Sequence, residues 1–374
     1  MRTLLLTLGR LPKGLDVARS FARAGWRVIV ADPFPRHVSG ASRAVTKSYQ
    51  VRAPAFEPQG FLDDLMRIIA DESVELVVPV SEEILYVAAL RERVPESVRV
   101  FAMPQGDLLS LHDKAGFVAF TQVHGLSAPE TCNLGSHEAY ALGQAGPVII
   151  KPRHSCAGGG VVKFAQGANL PENVQPYAGM IVQRCISGAE YSVCGLAHDG
   201  CVQISAIYRG AIMSGSVAVS FERVEHEAIE AWVERFVRCA NWTGFISFDF
   251  IVDDSGAPWG IECNPRLSSG VHFFEPDDIA SGMLDPAAPL RLRAQKRLQQ
   301  FWPCLSETQA SFGDWPRFRA NGRLLSSVRD VTWAARDPWP LLGQIWSSWP
   351  IIDLARRLKI SFGEAASRDI VWND

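Results

Sequence analysis

The 374-residue chain has no run approaching eighteen apolar residues, so no segment is expected to cross a bilayer as a helix. Its first apolar stretch, Thr3 to Leu8, is short and ends at Gly9. With only Met1-Arg2 ahead of it, no secretory leader is expected. An excess of positive charge is missing as well. Against 40 Asp and Glu there are 37 Lys and Arg, giving a net charge of -3 and a pI near 6.3. Nucleic acid is therefore not an expected partner, and any polyanion must be held by a local cluster of bases. The eight cysteines (132, 156, 185, 194, 201, 239, 263 and 304) form no C-x-x-C pair and no regular spacing. They read as reduced thiols of a cytoplasmic protein rather than a disulfide framework or a zinc site. The eight histidines show no metal-ligand spacing. Of these, His154 and His272 lie close in sequence to other candidate residues, and structural or loop-exposed roles are expected for both. No internal repeat or low-complexity tract is present. What remains is an ordinary apolar fraction, 47%, in a chain long enough for two or three domains with separate cores.

The first hundred residues alternate strand and helix signals. Apolar runs at Thr3–Leu8, Arg27–Ala31, Glu75–Val80 and Val98–Ala102 read as buried strands. Between them, Leu15, Ala18, Phe21 and Ala22 recur at helical spacing before Gly25, and Phe61–Ala70 and Glu82–Val94 read as helices. This alternation predicts an α/β open, mostly parallel sheet over 1–107. The pattern then changes. A helix is expected from Asp113 to Gly125, followed by strands at Val148–Ile150, Val161–Phe164, Met180–Arg184 and Tyr191–Ala197. His198-Asp199-Gly200 reads as a hairpin turn into a strand Val202–Tyr208. A helix Glu225–Ala240 precedes a second hairpin, Phe245–Val252 with Pro258–Cys263. The expected divisions are an α+β unit over 108–285, with lobes 108–185 and 186–285, and a C-terminal helical segment 286–374 that holds seven of the eleven tryptophans after residue 300.

Chemistry concentrates between Phe245 and Arg266. Residues two apart in a strand share a face. Glu262, Asn264 and Arg266 therefore point one way, and Asp249 points away from the core residues Phe248 and Phe250. A loop over Asp254–Ala257 would pair Asp253 with Pro258 and set Asp249 opposite Glu262. Two carboxylates and a carboxamide on one face form an all-oxygen set suited to Mg2+, which commonly binds one or two carboxylates together with nucleotide phosphates. A merely solvated face is the weaker reading, because opposed carboxylates repel unless a cation lies between them. Upstream, Lys151-Pro152-Arg153 leads into Ser155-Cys156-Ala157-Gly158-Gly159-Gly160-Val161. Glycines allow backbone N–H groups to approach phosphate, and a neighbouring lysine supplies counter-charge. Alone, such a loop is more often a flexible turn. Cys156 is read as a small loop residue, since no base is placed beside it. A third stretch, Gln183-Arg184-Cys185-Ile186 followed by Glu190, could take adenine on its backbone and ribose on the acid.

Taken in order, these pieces resemble the ATP-grasp family, whose members include biotin carboxylase, D-alanine–D-alanine ligase and the carboxylate–amine ligases. The resemblance covers residues from about 108 to 275. Asp113-Lys114, with Gly125-Leu126 and Pro129-Glu130-Thr131 following, looks like the family's opening motif. Val148-Ile149-Ile150-Lys151-Pro152 resembles the strand with its second lysine, and Ser155 to Val161 the glycine-rich flap. Phe248-Asp249-Phe250 and Ile261-Glu262-Cys263-Asn264-Pro265-Arg266 resemble its metal strands. Pro79-Val80-Ser81-Glu82-Glu83 sits where the family's preceding α/β domain places a strand end. Gln183 stands where the family more often has Glu.

The resemblance implies that ATP is bound by Lys114, Lys151, the flap residues Ser155, Gly158, Gly159 and Gly160, the hinge Gln183, Arg184, Cys185 and Ile186, and Glu190. Mg2+, as two ions with Mn2+ able to substitute, would sit on Asp249, Glu262 and Asn264. Arg209 would reach the γ-phosphate, and Arg266 would steady an acyl-phosphate. The implied activity joins a small-molecule carboxylate to an amine, with ADP and phosphate released, in a chain that could pair as a homodimer. A thiol or other acceptor, simple phosphoryl transfer and a non-catalytic ATP-binding regulator stay open as alternatives.

Other signals are weaker. Gly9-x-x-x-x-Gly14 continues into Leu15-Asp16, not the Lys and Ser/Thr of a phosphate loop. Asp32 then reads as a sheet-terminal acid or a substrate contact, not a dinucleotide-ribose ligand. For the tryptophan-rich stretch Trp339–Lys359, packing on the core or on a second subunit is favoured over a membrane-surface helix, because Pro340 and Pro350 interrupt it and its basic residues are few.

Overall fold

A computed structural model describes residues 1–154, 160–171, 179–215 and 217–372. The N-terminal part is a five-stranded parallel sheet in the order β3-β2-β1-β4-β5. Its elements run β1 (Thr3–Leu6), α1 (Pro12–Arg23), β2 (Arg27–Asp32), β3 (Lys47–Gln50), α2 (Pro58–Asp71), β4 (Leu76–Val78), α3 (Ile84–Val87) and β5 (Arg99–Val100). Proline opens both α1 and α2, where a missing N–H costs nothing. The expected helix Glu82–Val94 is instead the short α3 followed by a 3-10 turn over Ala88–Glu92. Asp32, at the end of β2, accepts from the backbone N–H groups of Gly9 and Arg10 and pairs with the buried Arg10 guanidinium, so its role is structural.

Two further helices, α4 (Gln105–His112) and α5 (Lys114–Val123), lead into a four-stranded sheet ordered β6-β9-β7-β8. It contains β6 (Thr131–Asn133), β7 (Val148–Pro152), β8 (Val162–Phe164) and β9 (Met180–Arg184), with α6 (His137–Ala145) between β6 and β7. Asp113, where the sequence starts the helix, caps α5 by accepting from Ala115 N–H. Ser155, Cys156, Gly158 and Gly159 lie outside the described residues.

A seven-stranded sheet ordered β14-β13-β10-β11-β12-β15-β16 forms the centre. Its strands are β10 (Ala189–His198), β11 (Cys201–Ser214), β12 (Val217–Val224), β13 (Gly244–Val252), β14 (Pro258–Asn264), β15 (Arg297–Gln299) and β16 (Arg329–Asp330). The helix α7 (Glu227–Cys239) lies between β12 and β13, and α8 (Ile279–Leu284) follows β14. The β10–β11 turn is the expected one. Asp199 and Gly200 both take positive φ (45° and 76°), the conformation that tight hairpins require. On one face of the sheet Phe248 and Phe250 pack with Trp232 and Phe236 of α7 and with Phe117 of α5. Gly260 makes this possible, because a Cβ there would meet Trp232 at 2.9 Å. Gly188, just before β10, is equally constrained, with a virtual Cβ 2.0 Å from the Val252 carbonyl oxygen. The other face shares one core with the N-terminal sheet, joining Leu6, Val17 and Phe21 to Cys194, Tyr208 and Phe273.

The last segment is more than accessory helices. It supplies β15 and β16 to the central sheet, then α9 (Phe301–Ala310), α10 (Trp315–Ser327), α11 (Trp339–Leu342), α12 (Gln344–Leu358) and α13 (Phe362–Ser367). Its tail returns to the N-terminal sheet, where Asp369 pairs with Arg10 and the Tyr86 hydroxyl donates to the Val371 carbonyl. Among the described residues no helix is long and apolar enough to cross a membrane.

One buried cluster ties the N-terminal sheet to the centre. Asp16 of α1 lies 2.6 Å from His272 Nδ1 and 3.1 Å from Arg293 Nη2. Burial alone would raise its pKa, but Arg293, the His272 hydrogen bond and Arg19 outweigh it and hold the carboxyl below its ordinary value. A lowered native pKa stabilises the fold at pH values above the unfolded one, and that stability is lost as pH falls through the native value. Asp16→Ala should therefore cost about 3–5 kcal/mol by denaturant unfolding, since it leaves Arg293 buried without its partner. It should also flatten the acid limb of the stability–pH curve.

Candidate functional site

The cross-strand register sets the site. Val252 pairs with Pro258, one residue off the expected turn, but Asp249 still opposes Glu262. An irregularity between Asp249 and Phe250 reconciles the two, because β14 carries Ile261 as an extra residue. A bulged residue loses its ladder partner. Here the Ile261 carbonyl oxygen accepts from Lys151 Nζ at 3.1 Å. The lysine of the four-stranded sheet is thus anchored to the bulge that aligns the two carboxylates.

The polar face is continuous around that pair. Ser192, opposite Asp249 on β10, donates to Asp249 Oδ1 at 2.6 Å. Asn264 Nδ2 donates to Asp249 Oδ2 at 3.1 Å, and Arg266 Nη2 donates to Asn264 Oδ1 at 2.9 Å. Lys114 Nζ lies 3.6 Å from Glu262 Oε1, its side chain 2% exposed. Lys114 is brought alongside Lys151 because its N–H donates to the Arg153 carbonyl while the Arg153 guanidinium clasps Asp113. Burial and the facing Glu262 push Asp249 up to about 6. Burial pulls Lys151 down to about 8, against the attraction of Glu262. Among the described residues no three His, Cys, Asp or Glu side chains are grouped to hold a metal ion by themselves. Asp249, Glu262 and Asn264 thus form a partial oxygen shell that fits a hard cation only if further oxygens come from a bound ligand.

Gly160 has positive φ (74°), as a glycine turn requires, but most of its loop lies outside the described residues. Gln183 is buried and donates to Thr131 Oγ1, Arg184 pairs with Glu130, and Cys185 N–H donates to the Pro147 carbonyl. Ile186 is half-buried beside them. Glu190 is exposed two residues before Ser192, on the same face as Asp249. Arg209 departs from its expected place. The strand does not end at Tyr208 but runs to Ser214, so Arg209 falls on the opposite face from Tyr208. Its guanidinium stacks 5.2 Å over Tyr191, which belongs to the α7 side of the sheet. His272 is structural, bonded to Asp16, and the His154 ring stacks on His112.

Three residues beyond the sequence candidates border the same face. Arg223 pairs with Tyr208 in the β11–β12 register, on the site side where Arg209 is not. Its Nη2 donates to the Arg293 carbonyl, and its Nε is buried without a hydrogen-bond partner. Extending the two-residue alternation through β11 and β12 would have found it. Glu82, after β4, lies 3.8 Å from Arg266 and 3.3 Å from His112, and also accepts from Trp372 N–H. Its neighbour Glu83 instead staples the β4 turn through Val80 N–H, Ser81 N–H and the Thr7 hydroxyl. Lys13 bridges Ser81 and the Leu267 carbonyl from α1. Only the fold could reveal these last two, since each has a partner far along the chain, Leu267 for Lys13 and Arg266 and Trp372 for Glu82.

Residues 111–270 match the model of the ATP-grasp domain family. No protein of curated function matches the chain in sequence. Among solved structures, the chain is similar to an L-amino acid ligase from Bacillus licheniformis at 18% identity and a TM-score of 0.56, over 72% of this chain and 68% of that one. N5-carboxyaminoimidazole ribonucleotide synthetase from Thermus thermophilus gives 17% and 0.59, over 79% and 81%. The biotin carboxylase domain dimer of Hydrogenobacter thermophilus 2-oxoglutarate carboxylase, in complex with MgADP, ADP and bicarbonate, gives 14% and 0.59, over 72% and 65%. At these identities the likeness is one of fold.

A carboxyl whose native pKa lies above its ordinary value opposes folding when ionised and stops doing so as pH falls through the native value. At about pH 8 and with chelator present, Asp249→Asn should raise stability, by about 0.2–1 kcal/mol for the relieved like-charge pair. Thermal unfolding with and without Mg2+ measures this, and added metal should narrow the difference.

Proposed function

We propose, from the match of residues 111–270 to the ATP-grasp domain family, that the chain is an ATP-dependent ligase that activates a small-molecule carboxylate as an acyl-phosphate and transfers it to an amine. The observation that carries this reading is the opposition of Asp249 and Glu262, with Lys114 and Lys151 entering from two other elements. A half-buried pair of like charges beside two buried lysines suits a polyphosphate accompanied by a cation better than it suits either alone.

In this reading Lys114 and Lys151 bind the α- and β-phosphates, the backbone of Gln183 to Ile186 takes the adenine, and Glu190 takes the ribose. Asp249, Glu262 and Asn264 would hold Mg2+, which supplies charge neutralisation of the phosphates when bound. The substrate carboxylate attacks the γ-phosphorus, ADP leaves, and an amine then displaces phosphate from the acyl-phosphate to give the amide. Arg266, which contacts Asn264 and Glu82, would stabilise the oxyanion formed in that second step. Arg223 replaces Arg209 as the candidate for the transferred phosphoryl group.

Incubation with ATP, Mg2+, pooled amino acids and hydroxylamine should release ADP and form hydroxamate. ADP release with no hydroxamate in any pool would remove the acyl-phosphate from the reading. Glu262→Gln should lower turnover at least about a hundredfold, and intact turnover would sink the metal assignment. Lys151→Ala should weaken nucleotide binding at least about tenfold by calorimetry, whereas Arg209→Ala should stay within about twofold.

A further inference from the structure

The helix α12 carries apolar side chains on both of its sides. At about 100° per residue, Ser347, Ile351, Leu354 and Ala355 fall on one side, which faces the protein. Ile351 is buried with Ala365 and Ala366 of α13, and Phe34, Leu354 and Ala355 pack against that cluster. The opposite side carries Ile345, Trp349 and Ile352 in line, with Trp346 beside them and Arg356 one turn further on. Trp346 is 71% exposed and Trp349 56%, and α11 adds Trp339 at 55% and Leu342 at 57%. The expected packing thus accounts for one side of Trp339–Lys359 and leaves its tryptophans in water.

We propose that this face of α11 and α12 docks on an anionic lipid bilayer, with the tryptophans at headgroup depth and the basic residues against the lipid charge. Trp rings suit that zone because they combine a large apolar body with an N–H that needs a polar partner. A helix of 15 residues is too short to span and must lie in the plane of the surface. Charge selects the partner. Trp339–Lys359 itself carries Arg356, Arg357 and Lys359 against a single acid, Asp353. Of the acids nearest the face, Asp353 is paired with Arg357 and Asp337 with Arg19. Among the described residues Arg336, Arg356 and Lys359 have no ion-pair partner, and all three are exposed. A second copy of the chain fits less well, since a two-fold interface would turn the same basic residues toward each other.

The test is flotation of the full chain with vesicles of phosphatidylcholine alone and of phosphatidylcholine with one-third phosphatidylglycerol. Binding is expected only to the anionic vesicles, with a blue shift of tryptophan emission and weakening at high salt. Trp346→Ser/Trp349→Ser should lower that partition at least about tenfold, as two tryptophan side chains leave the interface. Both residues are exposed, so the thermal midpoint should stay unchanged. Failure of the wild-type chain to float with anionic vesicles would overturn the proposal, as would undiminished flotation of the double variant. A wild-type dimer in sedimentation velocity that the double variant dissolves, with no flotation by either, would assign the face to a second copy instead.

Discussion

The electrostatic conflict between Asp249 and Glu262 organises the structure around it. Two carboxylates meet across a ladder on a largely buried face, and much of what surrounds them offsets that repulsion. Ser192 and Asn264 each give a hydrogen bond to Asp249, and Lys114 lies beside Glu262. Lys151 approaches through a backbone carbonyl instead of a carboxylate. Burial raises the acid and lowers the lysine, so both groups are drawn toward neutrality. Such an arrangement gains its full value when a cation and a polyanion enter together.

Much of this was legible in the sequence because it is carried by two local periodicities. Alternation along Phe245–Val252 and Pro258–Asn264 separates the phenylalanines facing α7 from the oxygens facing the site. The Asp-Gly turn sets one hairpin, and Asp113 marks the start of α5. Arg209 shows where such reading stops. With the strand ended at Tyr208, the residue after it had no assigned face, and the continuation of β11 turned it to the wrong side. Glu82, Lys13 and the Asp16–Arg293–His272 cluster were beyond reach for another reason. Each depends on an encounter between elements far apart in the chain, which no local period encodes. The tail belongs to the same class, since its tryptophans signalled an interface without saying which side of the helix would be covered.

The N-terminal sheet and the C-terminal tail together close the rim of the site. α1 contributes Lys13, the turn after β4 contributes Glu82, and the chain's last described residue, Trp372, donates its N–H to that same Glu82. Arg266 is thereby linked, through a single carboxylate, to a segment more than a hundred residues downstream. The tail is also fixed to the sheet by Asp369, which shares the buried Arg10 with Asp32.

The extra residue at Ile261 works as a slip joint. Between the Asp253–Ala257 turn and the bulge, the hairpin keeps one register; beyond the bulge it keeps another, the one in which the carboxylates face each other. The shift is confined to that one residue, so the pairing of Asp249 with Glu262 does not follow the register of the turn. The hairpin is therefore two ladders in series: the outer one is pinned by the Asp253 carboxylate and by Ser127, the inner one sets the carboxylates, and they meet inside a single strand at Gly260 and Ile261.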